Sequence, residues 1–132
     1  MACPCGRAGK PGGVAAYLQC CGRHIEPFND QPAPDAESLM RSRYTAFVLE
    51  RPQYLLATWH SGTRPPDLQL EPGVKWLGLE VRLHRQTGPA HAEVEFVARH
   101  RDGTGRAARL HELSRFARED GRWYYVDGDA LP

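Results

Sequence analysis

The chain has 132 residues, enough for one compact domain with a small appendage and too few for two ordinary domains. Its composition, 41% hydrophobic and 25% charged with 13 glycines and 11 prolines, belongs to a globular protein with a real core and a loop-rich stretch, which excludes disorder throughout. Seventeen Lys and Arg against sixteen Asp and Glu leave a net charge of +1, so no global field draws the chain onto nucleic acid or an acidic membrane. No apolar run approaches the ~18 residues of a membrane span, and Met1-Ala2-Cys3-Pro4-Cys5 has neither the basic start nor the apolar centre of a signal peptide. A cytoplasmic location is expected.

Cys3, Cys5, Cys20 and Cys21 are all the cysteines of the chain and lie in its first 21 residues. Chance placement would do this about 6 times in 10,000, so the cluster calls for a cause. A Gly- and Pro-rich segment cannot bury enough apolar surface to order itself, and disulfides do not persist in a reducing compartment. Four thiolates around one Zn²⁺ would supply the missing folding energy, with disulfides or a redox thiol pair as the alternatives. Cys20 and Cys21 can both turn inward only in a tight turn or helix, because adjacent side chains of a strand point to opposite faces. His24, three residues on, is either a substitute ligand or a surface histidine. Residues 1–25 therefore read as a zinc knuckle and residues 26–34, Glu26 to Pro34, as a Pro-rich linker. Arg7, Lys10 and Arg23 oppose Glu26 and Asp30 in this region. With the charge of a four-thiolate zinc centre the knuckle carries about −1, so no generic nucleic-acid binding is expected.

A domain boundary is expected near Asp35, and the second domain spans 35–132. Met40, Tyr44, Phe47 and Val48 recur at the spacing of one helical face, with Asp35 as N-cap. Pro52 opens a second, shorter helix that places Tyr54, Leu55 and Thr58 or Trp59 on one side. Residues 61–73 read as a loop. The period then changes to two: Leu77, Leu79, Val81 and Leu83 form one buried strand face, followed by Ala92, Val94, Phe96 and Ala98, a return over 107–117, and a last strand from Trp123 to Val126. Asp127-Gly128 reads as a turn. Two helices before a four-stranded meander predict an α+β fold, a small zinc knuckle followed by helices packed on a curved antiparallel sheet.

Cys3-Pro4-Cys5-Gly6 followed by Tyr17-Leu18-Gln19-Cys20-Cys21-Gly22 resembles the SEC-C zinc motif, although the stretch between the cysteine pairs is longer than usual and carries Gly12-Gly13 in place of lysines. The run Leu39 to Val48, then Thr58-Trp59-His60, Trp76 to Leu79, Glu112 to Phe116 and Gly121 to Gly128, is similar to the bacterial YchJ family. The resemblance implies a cone-shaped domain like nuclear transport factor 2, with helices and a concave sheet face enclosing a pocket. It further implies a zinc ligand set of Cys3, Cys5, Cys20 and Cys21, and a knuckle that docks a protein partner as the similar motif of the SecA translocase does. Cone folds of this kind also form homodimers through the open sheet face.

The pocket candidates are Arg41, Arg43, Tyr44, Trp59, His60, Glu112 and Arg115. His60, at the mouth, is either a general base or a helix-end cap. Glu112 shares a strand face with Leu110, Ser114 and Phe116, so it either pairs with Arg41 or Arg43 or stays protonated. Arg41 and Arg43 are roughly 200° apart on the helix, so at most one turns inward, and solvation is the default for both. Arg115 lies on the opposite strand face from Glu112 unless a bulge intervenes. These isolated groups favour a binding or adaptor module over the alternative, an isomerase or dehydratase acting through Glu112 or His60.

Overall fold

The computed structural model describes residues 1–9 and 12–132; Lys10 of the knuckle's basic set lies outside them. A 3-10 turn at Tyr17–Gln19 precedes helices α1 (Gly22–Ile25), α2 (Ala36–Val48) and α3 (Pro52–Ala57), and then strands β1 (Lys75–Gly88), β2 (His91–Arg101), β3 (Ala107–Glu119) and β4 (Arg122–Ala130). The strands pair antiparallel in the order β1-β2-β3-β4, and α2 lies across the sheet's inner face. The result is an α+β fold with its strands in one meander. Among the described residues no helix is long and apolar enough to cross a membrane.

Asp35 starts α2 as its spacing predicts: its backbone is extended and its Oδ1 accepts from the Ser38 amide at 2.7 Å. Burial alone would raise the Asp35 pKa, but the hydrogen bonds from Ser38 hold it below the ordinary aspartate value. The native-state pKa is therefore below the unfolded one. The contribution is present above the unfolded value, ~3.9, and fades as pH falls through the depressed native one. Asp35→Ala is expected to lower stability by about 1 kcal/mol at pH 7 and by much less at pH 2, read by urea unfolding at both.

Alternation fails in β1. Register shifts between Trp76 and Gly78 and between Val81 and Leu83 insert extra residues, so Leu79 and Val81 face the core while Leu77 and Leu83 stand in solvent. The shifts also bring Trp76 inward, against Tyr44 and Phe47 of α2. In β2, Ala92, Val94, Phe96 and Ala98 are all buried, as the period of two predicts.

Asp127-Gly128 is not a turn, because β4 runs on to Ala130. Arg115 pairs with Asp127 but Phe116 with Tyr125, leaving Val126 as a bulge. This extra residue reverses the facing of everything beyond it. Trp123 and Tyr125 point inward before the bulge, Gly128 lies inward opposite Ser114 after it, and Asp127 and Asp129 point outward to Arg115.

Helix α2 is buried on more than the one face its pattern predicts: Leu39, Ser42, Arg43, Thr45 and Ala46 join Met40 and Tyr44 in the interior. The reason is the N-terminal segment. Cys3, Cys5, Tyr17, Cys20, Cys21 and Ile25 belong to the same buried cluster as Leu39, Tyr44, Leu55 and Phe116, so the knuckle caps the side of α2 that the sheet leaves open. Knuckle and sheet share one core rather than two sources of stability.

Candidate functional site

The first candidate site is the cysteine cluster. An antiparallel hairpin, bridged at Ala2 with Ala16 and at Ala8 with Val14, carries Cys3 and Cys5 on one arm. The turn after Cys5 needs Gly6, whose φ of +74° lies in the left-handed region. Cys20 closes the 3-10 turn and Cys21, with helical backbone angles, is the N-cap of α1, which lets neighbouring residues aim at one point. All four sulfurs lie within 4.8 Å of one another and all four residues are buried.

Helix α2 holds this cluster in place. The Arg41 Nη1 donates to the Cys5 carbonyl at 3.1 Å, and the Thr45 Oγ1 is 3.8 Å from the Cys3 sulfur. Crowding forces the thiols apart in acidity. Hydrogen bonds from Cys21 and Cys5 hold the Cys3 thiol well below its usual range, whereas burial and then the charges of Cys5 and Cys3 push Cys20 up to about 12. Four thiolates cannot coexist at this spacing without a cation among them, so the donor set suits a soft divalent metal. His24 is elsewhere: its Nδ1 lies 2.6 Å from the Gln31 carbonyl oxygen, away from the four sulfurs.

The second candidate site is a cavity of about 260 Å³ between α2 and the inner face of the sheet. Met40, Arg43, Tyr44 and Phe47 come from α2, Trp76 from β1, Phe96 and Ala98 from β2. Strand β3 contributes Leu110, Glu112, Ser114 and Phe116 on alternate positions, and Trp59 and Tyr125 close the far end. Leu110 is 36% exposed although it faces inward, which marks the mouth.

Arg43 is the chief polar group. Its guanidinium lies 4.7 Å from the Tyr125 ring centre and 5.2 Å from that of Trp59, and Nη1 donates to the Leu55 carbonyl and Thr58 Oγ1, both at 2.7 Å. Burial pushes its pKa down to about 10, so it remains cationic at neutral pH. Across the cavity Glu112 accepts a short hydrogen bond from Ser114. Burial, with the Glu112 carboxylate beside it, pushes the Tyr125 phenol up to about 12.

Gly128 makes the room for Glu112, since a Cβ there would lie 2.5 Å from Oε2 and 2.6 Å from Cδ. Gly128→Ala is expected to cost about 1–3 kcal/mol through this overlap and to cost little in a Glu112→Ala background; thermal unfolding of both variants reads the coupling.

The cavity thus gathers Arg43, Tyr44, Trp59 and Glu112 of the residues singled out from sequence, and three others stand outside it. Arg41 turns to the knuckle and pairs with Glu37 at 2.9 Å, so neither it nor Arg43 is the solvated charge that a helix surface suggests. His60 does not line the mouth: its Nε2 is 2.6 Å from the Glu119 carboxylate and its Nδ1 accepts from the Gly62 amide. Its own amide donates to the Tyr125 carbonyl, so the residue ties the loop to β4. Arg115 lies on the outer sheet face with Asp127 and Asp129. Neither arginine of α2 forms an ion pair with Glu112 among the described residues. Sequence reasoning did not assign Phe47, Phe96 and Tyr125 to the cavity; their inward period was readable, but that a void rather than core would lie beneath them was not.

Residues 35–128 match the family described as YchJ, middle NTF2-like domain. A UPF0225 protein of Polaromonas sp. is 65% identical over 127 residues, covering 96% of this chain and 91% of the relative, and one from Bordetella parapertussis is 58% identical with 97% and 92% covered. The solution structure of a SEC-C motif containing protein from Rhodopseudomonas palustris superposes with a TM-score of 0.82 at 31% identity, covering both chains completely. The crystal structure of another from Psychrobacter arcticus gives 0.79 at 29% identity, covering 100% of this chain and 84% of the other. A cysteine knuckle packed on an NTF2-like sheet, with relatives that match along almost their whole length, makes the chain a member of the UPF0225 family with a YchJ-type domain.

Proposed function

We propose that the protein is a non-enzymatic binding module of a reducing, cytoplasmic compartment, in which the cysteine cluster holds one structural Zn²⁺ and the cavity of the cone domain takes a small ligand. Zinc fits the donor set: Zn–S bonds of ~2.3 Å place the sulfurs of a tetrahedron about 3.8 Å apart. The Cys5 and Cys20 sulfurs are 3.7 Å apart, and no second cysteine cluster exists to compete. When bound, the ion supplies charge compensation and folding energy rather than reactivity, since four protein ligands leave no open position. The knuckle also serves as the docking surface for a protein partner. Val14 and Leu18 are about half exposed beside the cysteines, and Arg7 and Arg23 are engaged by Ser38 and the Cys20 carbonyl rather than displayed for a phosphate backbone.

The observation that carries the ligand reading is Arg43, a buried cation lining an apolar cavity with no carboxylate partner among the described residues. The alternative, an isomerase or dehydratase acting through Glu112 or His60, draws no support from His60, which is committed to Glu119 outside the cavity. Metal analysis of protein purified without chelator is expected to give about one zinc per chain. His24→Ala is expected to retain it and Cys21→Ser to lose it; full zinc content in Cys21→Ser would refute the ligand set.

A further inference from the structure

The ligand class follows from how the two charges of the cavity are left. Arg43 is only 7% exposed, and both of its hydrogen bonds run through Nη1; Nε and Nη2 have no partner among the described residues. Glu112 accepts from Ser114 through Oε2, and no cationic nitrogen lies within 4.0 Å of it among the described residues. Opposite charges in a protein interior ordinarily meet, because each carries a large desolvation cost that only a partner offsets. Here Arg43 is buried and Glu112 half-buried, and they border the same cavity without touching. The Tyr125 side chain, its ring under Arg43 and its phenol beside Glu112, lies near both but carries no charge, so a charged ligand can still answer each.

Resting on the reading of this cavity as a ligand site, we infer that it binds a small zwitterion with an apolar side chain, an α-amino acid, whose carboxylate meets the free edge of Arg43 and whose ammonium meets Glu112. The planar guanidinium offers Nε and Nη2 as two parallel donors, the geometry that a carboxylate accepts in bidentate fashion. A simple carboxylate would place a second anion near Glu112, and a simple amine a second cation near Arg43. Among ligands that carry charge, one bearing both groups leaves the site electrically neutral and answers Arg43 and Glu112 together. The remaining wall, Phe47, Trp76, Phe96 and Leu110 among it, offers apolar surface for a hydrocarbon or aromatic side chain. A volume of about 260 Å³ is below the ~300–1,000 Å³ of pockets for drug-sized molecules, which suits one amino acid and not a peptide or nucleotide.

The test titrates the zinc-loaded full chain with L-phenylalanine, phenylacetate, phenethylamine and toluene, following the indole signals of Trp59 and Trp76 by NMR. L-Phenylalanine is expected to bind at least about tenfold more tightly than either singly charged analogue, since each analogue leaves one of the two charged groups of the site unmatched. Glu112→Gln is expected to abolish the preference for phenylalanine over phenylacetate, and Arg43→Lys to weaken both. Phenylacetate binding as tightly as phenylalanine, or phenylalanine binding unchanged in Glu112→Gln, would overturn the zwitterion assignment. Should toluene shift the indole signals while phenylalanine does not, the assignment falls and the cavity stands as an apolar site. If toluene is silent too, the ligand reading of the cavity falls with it. Glu112→Gln keeps the side-chain volume and, among the described residues, has no ion pair to break, so it decides the matter even if Arg43→Lys fails to fold.

Discussion

Replacing Cys20 with serine is expected to unfold the whole protein near body temperature and not merely to release residues 1–25. A knuckle on a tether would melt alone, leaving the sheet intact. Here the Cys20 and Cys21 side chains lie in one buried cluster with Leu39, Tyr44 and Phe116, and Cys3 touches Thr45 of the central helix. Loss of the proposed zinc would leave three buried thiols with no cation and take away the cover of α2. Structural zinc contributes roughly 10–16 kcal/mol in isolated fingers, against about 5–15 kcal/mol for the net stability of a domain. Even a fraction of that exceeds the reserve of a 132-residue chain. The native tryptophan fluorescence and the far-ultraviolet dichroism of the sheet are expected to be lost in one transition, and a chelator should act likewise on the parent. A sheet that melts at an unchanged temperature in Cys20→Ser would show that the two parts are energetically separate.

Phe116→Ala is expected to be the most damaging single change in the sheet. Its ring is 1% exposed, sits edge-on to Tyr125 at 5.9 Å and forms the wall of the cavity beside the β4 bulge. Truncation removes a phenyl group from a place that cannot collapse, because Tyr125 is pinned by the Thr58 and His60 backbone on its other side. The expected loss is about 3–5 kcal/mol, a fall in Tm of about 10–20 °C. Benzene should restore part of it by filling the enlarged void. A loss below about 1 kcal/mol would mean that the strand relaxes into the gap.

The cysteines and α2 illustrate what is legible in a sequence. A cluster of four cysteines in a Gly- and Pro-rich segment demands a metal-like solution whatever surrounds it, and a Pro34-Asp35 start with apolar residues at helical spacing yields a capped helix by local rules alone. The period of two after residue 75 is local in the same sense, because it follows from the pleat of each strand. That period puts Glu112 on one strand face with Leu110, Ser114 and Phe116, and all four line the cavity.

Elsewhere the outcome depended on partners far along the chain. Arg41 and Arg43 differ by two positions on one helix, yet one reaches the Cys5 carbonyl and the other is sealed between Trp59 and Tyr125. No local pattern says that a second layer will cover the back of a helix, so a charge there reads as solvated. The bulges had the same effect on strands: one inserted residue costs little in sequence terms but reverses the facing of all that follow, which put Leu77 and Leu83 outside and Gly128 beneath Glu112. Composition, caps and periodicity determined the elements, their order and the cysteine cluster, because these depend on interactions within a few residues. Tertiary structure alone decided that knuckle and sheet share one core, and that a cation and an anion face the same void with no ion pair between them among the described residues. Those facts depend on contacts between segments up to about a hundred residues apart, for which the chain carries no local signature.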